Sequence, residues 1–267
     1  MADTQIHRTA VVYNKAHLGE GVVVGPLSLI DEHVTLGAGC IVGPQVSITG
    51  HTTVGVRNKF HAGAVIGDAP QDLKYSGSPT RLRIGDDNVF REHVTIHRSS
   101  KLDEETVIGS GNLFMVGSHA GHNCVVGNQN VFANGSLLAG HVTVGDRAFI
   151  SGNCLVHQFT RIGRLAMMQG GSAISRDLPP FCIARGDNGI CGLNVVGLRR
   201  LGFNAAQRLE LRALYHLLFR SRRKLADRLV EARGKHRSEP ALEMIEFVAA
   251  ARKGVCRDTG KRESSDE

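Results

Sequence analysis

Residues 109–156 read GSGNLF-MVGSHA-GHNCVV-GNQNVF-ANGSLL-AGHVTV-GDRAFI-SGNCLV, eight hexads in unbroken succession. Seven of them end on a large apolar residue, and the exception ends on Ala120. The next residue is often Gly, as at positions 121, 127 and 145. Two residues before the apolar position the side chain is usually small or compact, as at Ser118, Cys124, Ser136, Ala148 and Cys154. Upstream the same phase runs back through Ile108, Ile96, Phe90, Ile84, Ile66, Phe60 and Val54 to Ile6, and downstream it reaches Ile174.

A six-residue period of this kind predicts a parallel β-helix in which three hexads close one triangular coil. The large residue fills a narrow interior, and the position two before it has room only for a small one. Gly after the apolar residue is expected to ease the corner between faces. Cys40, Cys124 and Cys154 fall on the small interior position, so buried thiols are expected there. The composition agrees: 267 residues carry 32 Gly, no Trp and only 5% aromatics, so repetition stands in for a bulky core.

The phase is broken at 67–83 (GDAPQDLKYSGSPTRLR) and again near 98–107, and both stretches are expected to leave the prism as loops. Beyond about residue 178 the hexads stop. The expected division is a β-helix over 1–190 and a helical domain over 191–267. Three helices are expected in the tail, started by Asn204, Ser221 and Ser238, with GKRESSDE as a frayed end. Residues 1–197 are neutral, whereas 198–267 carry the whole net charge of +7. A run such as Arg220, Arg222, Arg223, Lys224 and Arg228 favours an acidic partner. No base-reading motif accompanies it, so nucleic acid is not expected. With no apolar run long enough to span a bilayer and no leader-like start, neither membrane insertion nor export is expected. The six Cys should then be reduced thiols in a cytoplasmic protein.

A β-helix has no internal cavity, so a site must lie outside it, in a cleft between neighbouring prisms. That predicts an oligomer, most simply threefold. His119, His122, His141 and His157 cluster in one part of the helix. His141 follows His122, and His157 follows His141, each at close to one coil, which predicts a histidine column along one edge. Such histidines suit general-base chemistry on a hydroxyl or amine, or metal binding.

GDAPQDLKYSGSPTRLRIG, VTIHRSS, GSHAGHNCVVGN, LAGHVTVGD, VHQFTRIG, DLPPFCIARGDN and GLNVVGLRRLGF resemble, in this order, the UDP-N-acetylglucosamine acyltransferase family that opens lipid A synthesis (LpxA). The resemblance spans roughly residues 6–250. It implies a left-handed parallel β-helix of hexapeptide repeats with a C-terminal α-helical domain, assembled as a homotrimer. It implies transfer of a 3-hydroxyacyl chain from an acidic acyl carrier protein to the 3-position of a UDP-linked glucosamine. No cofactor or metal is implied, because the acyl group arrives on the carrier's phosphopantetheine. His122 resembles the catalytic base and Gly140 the oxyanion donor. Asp72, Leu73 and Lys74 resemble substrate contacts on the protruding loop. His119, His141, His157 and Gln158 resemble cleft residues, Gly170 the position that measures acyl length, and Asn194 and Arg200 contacts from the tail. Asn123 stands where some members carry Asp, and Val196 where an acidic residue is common. Other sugar acyl- or acetyltransferases of the same repeat, a β-helix carbonic anhydrase and a non-catalytic scaffold are the competing readings.

Overall fold

Each hexad contributes a strand of mostly two residues, too short to be stable alone, and the chain solves this by pairing every strand with its equivalents one coil before and after. The computed structural model describes residues 3–260, so most of the expected frayed tail lies outside the described residues. The strands stack into three sheets of 12, 9 and 8 strands, which form the faces of a left-handed triangular prism. Within the coils the pairing is parallel and in phase, apart from a register shift where Asp68 meets His97 at the start of the first excursion: on the 9-stranded face Thr95, His119, Leu137, Leu155 and Ala173 lie side by side.

The interior is filled as the hexads predict. Ile30, Leu36, Ile48, Ile66, Ile96 and Ile108 are all buried. Phe60, Phe90, Phe114 and Phe132 form one stacked column with centroids 5.0, 5.2 and 4.4 Å apart. Aromatic stacking adds about 0.5–1.5 kcal/mol per pair beyond burial. Beside that column the position two residues earlier holds Asn58, Asn88, Asn112 and Asn130, all buried. Asn88 Nδ2 donates to Asn58 Oδ1 at 2.9 Å, and Asn112 Nδ2 to Asn88 Oδ1 at 2.9 Å. The amides of Asn58, Asn88 and Asn112 bond from coil to coil, and the oxygens of Asn112 and Asn130 accept from the backbone N–H groups of Asn130 and Ala148, whereas Asn130 Nδ2 is left without a partner among the described residues. Cys40, Cys124 and Cys154 are buried as expected, and each Sγ donates to a carbonyl of the next coil at 3.2 Å.

The corner glycines are needed for a different reason from the one expected. At Gly37 φ is not positive; instead a methyl group would stand 2.5 Å from Gly55 O of the next coil. Positive φ falls on other corner residues, including Leu27, Gln45 and Asn123. Close stacking of coils, rather than backbone freedom, selects Gly at most of these positions, Gly67 with φ of +78° being an exception.

The first excursion leaves after the strand Val65–Asp68 and rejoins at Arg81–Ile84; the second spans 98–104, because the strand Glu105–Ile108 has already rejoined the sheet. After the last coil the strand Gly189–Leu193 folds back antiparallel onto Cys182–Ala184 and runs through residue 190. Among the described residues four α-helices follow: α1 (Val195–Arg200), α2 (Ala205–Tyr215), α3 (Leu225–Lys235) and α4 (Glu239–Ala249). Asn204 caps α2 in a reciprocal box with Gln207, as its position predicts. Ser221 does not start α3, which begins only after Lys224. Three successive cations, Arg222 to Lys224, oppose the positive end of a helix dipole, so the helix starts beyond them. Ser238 does precede α4, but without a side-chain cap. The tail is tied to the prism by Arg164–Glu243 at 2.6 Å and by Arg161, which pairs with Asp177 at 2.7 Å and donates to Phe247 O at 3.0 Å. Among the described residues no helix is long and apolar enough to cross a membrane.

Candidate active site

The 9-stranded face carries an open groove of about 640 Å³. Its floor is the outward ladder Leu137, Leu155 and Ala173, with Leu137 and Leu155 exposed although apolar. His119 and His157 line it, Gln71 reaches it from the first loop, and Ser175, Asp187 and Asn188 close the far end. Leu137, Leu155, Gln71 and Ser175 were not singled out by the sequence. The available signal was an apolar residue at an outward strand position, where solvent alone asks for a polar one.

The corner beside this face gathers the other histidines. The expected column is present as a cluster, but not as three equivalent positions. One separation exceeds a whole coil and the other falls short of it, so His122, His141 and His157 occupy three different places on the turn. His122 is level with Gly140 and Gln158, whereas His141 is level with Asn123 and Phe159; His141 N donates to His122 O at 2.9 Å and Phe159 N to Gly140 O at 3.2 Å. The His122 ring meets the His141 ring edge-on with centroids 5.2 Å apart, and His141 stacks on Phe159 at 4.5 Å.

His122 is held on one side only. Its Nδ1 is 2.7 Å from Asn123 Oδ1, and Nε2 makes no hydrogen bond among the described residues. Asn123 is buried and has φ of +59°, the left-handed region that Asn tolerates. Its Oδ1 also accepts from Ser100 N and Ser100 Oγ, both at 3.0 Å. Ser100 N–H can only donate, so the oxygen end of the amide faces it, and His122 Nδ1 is therefore the protonated nitrogen. Nε2 carries the lone pair. The ring lies directly against Gly140, whose own N–H makes no hydrogen bond among the described residues.

Burial sets the charge of the neighbours. His119, bonded through Nδ1 to Thr95 Oγ1 at 2.7 Å, is pushed down to about 4, chiefly by burial and then by His97 and His122. It is neutral near pH 7. His141 is also lowered, first by burial and then by His122, against the opposing pull of Glu104 and Asp72. His97, which the sequence reading did not select, packs edge-on against His119 at 5.0 Å, and burial lowers it too. Among the described residues no three His, Cys, Asp or Glu side chains converge as a metal site.

The remaining expected residues are dispersed. Asp72 Oδ1 accepts from Lys74 N at 2.9 Å within the first loop, and Leu73 is fully exposed. Arg98 anchors this loop, donating to Gly67 O at 2.8 Å and Tyr75 OH at 3.1 Å. His157 Nδ1 donates to Gln158 O at 3.1 Å. Gly170 is exposed on another corner, outside the groove lining. Asn194 caps α1 through Gly197 N at 3.0 Å and donates to Leu165 O at 3.0 Å, so both ends of its amide serve the backbone. Arg200 is exposed at the end of α1. Of the basic run, Arg220 pairs with Asp258 and Arg223 with Glu231, while Arg222 and Lys224 stand exposed ahead of α3.

Comparison with known proteins gives one consistent result. A family model described as UDP N-acetylglucosamine O-acyltransferase, domain 2, matches residues 177–256. An acyl-[acyl-carrier-protein]–UDP-N-acetylglucosamine O-acyltransferase from Chlorobaculum parvum is 52% identical over 254 residues, covering 94% of this chain and 96% of that protein. One of the same name from Syntrophobacter fumaroxidans is 42% identical over 257 residues, covering 95% and 100%. The LpxA structure from Acinetobacter baumannii superposes with a TM-score of 0.92 at 36% identity, covering 94% of this chain and 99% of that one.

Proposed function

This chain belongs to the UDP-N-acetylglucosamine O-acyltransferase family, and from that premise we propose that His122 is its general base and Gly140 N–H its oxyanion donor. The chain is an O-acyltransferase of the first step of lipid A biosynthesis, moving an acyl group from acyl carrier protein to UDP-N-acetylglucosamine. The acyl group in our reading is a 3-hydroxyacyl chain and the acceptor the glucosamine 3-hydroxyl. The observation that carries the role of His122 is its hydrogen bonding: Nδ1–H is committed to Asn123 Oδ1, and Nε2 is left with a lone pair.

The steps follow from that tautomer. His122 Nε2 takes the proton of the sugar 3-hydroxyl as its oxygen attacks the thioester carbonyl carbon. The oxyanion accepts from Gly140 N–H. Collapse expels the pantetheine sulfur, which takes the proton back from Nε2, so the imidazole is neutral again. His119, neutral through burial, and His157 line the groove for the nucleotide sugar or the pantetheine arm, with His141 and Gln158 at the adjoining corner. Asp72, Leu73 and Lys74 complete it from the loop. Asn194 and Arg200 belong to the tail side, with Asn194 acting by holding α1.

A homotrimer is favoured because the groove is open on a single prism, and outward apolar residues such as Val125, Phe149, Leu137 and Leu155 are available to a neighbouring prism. The exposed Arg222 and Lys224, next to the exposed Leu225 and Val230, suit an acidic helical carrier such as acyl carrier protein. We place the enzyme in the cytoplasm, with no cofactor.

His122→Ala tests the reading. It is expected to fold and assemble as the parent does and to lose kcat by about 10²–10⁴-fold, the contribution of a positioned base. Near-parental turnover removes His122 from the mechanism.

A further inference from the structure

Asn123 is an amide, and an amide can orient an imidazole in either of two senses. Turned one way it offers oxygen to His122 Nδ1; turned the other way it offers N–H, which would force Nδ1 to accept and leave Nε2 protonated and useless as a base. The sense is fixed by what surrounds Asn123. Ser99 and Ser100 hydroxyls can donate or accept, so they do not decide it. Two groups can: the Ser100 N–H, a donor only, 3.0 Å from Oδ1, and the Glu104 carboxylate, an acceptor only, whose Oε2 is 2.6 Å from Asn123 Nδ2.

Glu104 comes from the second excursion, well before Asn123 in the chain, and it makes two further contacts. Its Oε1 pairs with Lys101 Nζ at 2.6 Å, and its Oε2 is 3.7 Å from His141 Nδ1, whose ring stands against His122. It is thus coupled to His122 by two routes, one through the Asn123 amide and one through His141. The charged and titratable groups around His122 are Glu104 and Lys101 on the loop, His97, His119 and His141 on the coils, and Asp72 across from His141. Of the two carboxylates, Glu104 is the one within the network on the Nδ1 side.

We infer that Glu104 is a positioning residue for the transfer reaction: it locks the Asn123 amide in the sense that makes His122 Nε2 the base, and it supplies the negative charge that Asn123 lacks. Glu104 does not touch substrate in this scheme. The inference rests on His122 being the base.

The test is Glu104→Gln in the assembled enzyme, assayed with UDP-N-acetylglucosamine and a 3-hydroxyacyl carrier protein. A Gln carries no charge and can present either end of its amide to Asn123, so the charge is lost and the lock is left to the Ser100 N–H alone, while the volume is kept. Expected is a fall in kcat of about 10- to 100-fold, the size seen when outer-shell partners of metal-bound histidines are removed, because Glu104 acts on His122 at one remove, with KM for the sugar within about twofold. The acidic limb of the kcat–pH profile should move to lower pH, because an imidazolium next to a lost anion gives up its proton more readily. Adding Asn123→Asp to Glu104→Gln provides an acceptor on Nδ1 that needs no orienting, and should recover at least about fivefold of the loss. A kcat within twofold of the parent, an acidic limb that stays put, or no recovery in the double variant overturns the role of Glu104. His122→Ala run alongside separates the two readings: if it is active, the base assignment itself has failed, whereas an inactive His122→Ala with a parental Glu104→Gln removes Glu104 alone.

Discussion

Gly140 makes the seat for the His122 ring: a methyl group on its Cα would stand 2.7 Å from both Cε1 and Nε2 of that imidazole. The two residues are equivalent positions one coil apart, so the ring of the lower coil rests on the backbone of the upper one. Gly140→Ala should therefore displace the imidazole rather than disturb the prism, because φ at 140 is not in the left-handed region. Expected is a loss of kcat of about 10²-fold or more, as for a misplacement near 1 Å, with the thermal midpoint close to that of the parent. A fully active Gly140→Ala enzyme would show that the ring has slack and that the contact is not a catalytic constraint.

His119 gives a pH dependence whose sign can be worked out. In the unfolded chain its pKa is near 6.5, and in the fold burial holds it at about 4. The folded state therefore binds fewer protons between these values. Its contribution is fully present above pH 6.5, declines as pH falls from 6.5 to 4, and changes no further below that. The loss from this group is on the order of 3 kcal/mol, and buried His97 adds a change of the same sign. In His119→Gln the thermal midpoint should fall less steeply than in the parent from pH 6.5 to 4.5, at fixed protein concentration. Parallel profiles would mean that another group carries the acid sensitivity.

The prism was legible in the sequence because its rule is local. Every sixth residue reports its own position, and stacking merely repeats the statement one coil on. What escaped the reading depends on contacts between coils. The Asn58, Asn88, Asn112 and Asn130 column occupies the position reserved for small residues, and only stacking reveals that the amides of the first three bond one another. The histidine cluster was legible as a neighbourhood, but a shift of one residue at His141 put it level with Asn123 rather than with His122. Glu104 was not legible at all: it lies in a loop whose length breaks the phase, so no period predicts that it meets Asn123. Short α1 carries too few residues for a helical pattern, and the start of α3 was misplaced because a plausible cap at Ser221 competes with the three cations that follow it.

The tail's charge predicts a salt-sensitive encounter. Arg222 and Lys224 are exposed and form no ion pair among the described residues, unlike Arg223, which pairs with Glu231. Arg222→Gln with Lys224→Gln should raise KM for the acyl carrier protein severalfold at low ionic strength and leave KM for UDP-N-acetylglucosamine unchanged. At about 1 M salt the screening length is only about 3 Å, so the difference from the parent should vanish. Equal KM values at low salt would assign this patch to solvent alone.

Gly170 offers a test of chain-length selection that the fold can tolerate. Its φ is not positive, and the nearest atom to an added Cβ would be Gly152 O at 3.6 Å, an ordinary contact. The position is exposed on one prism and lies outside the groove of the same chain, so a side chain there can limit an acyl tail only in a cleft completed by a second subunit. Met fills space without strain and reaches further than any β-branched residue. If the tail runs past residue 170, Gly170→Met denies the last few methylenes their contacts, each worth about 0.8 kcal/mol when buried. Loss of two or three such contacts lowers kcat/KM for the longest accepted chain by about tenfold or more, and leaves donors shorter by that length unaffected. The measurement is a ladder of 3-hydroxyacyl carrier proteins compared between parent and variant, with the assembly mass recorded for both. A preference that keeps its optimum, in a variant that still assembles, would move the length-measuring position elsewhere on the cleft wall.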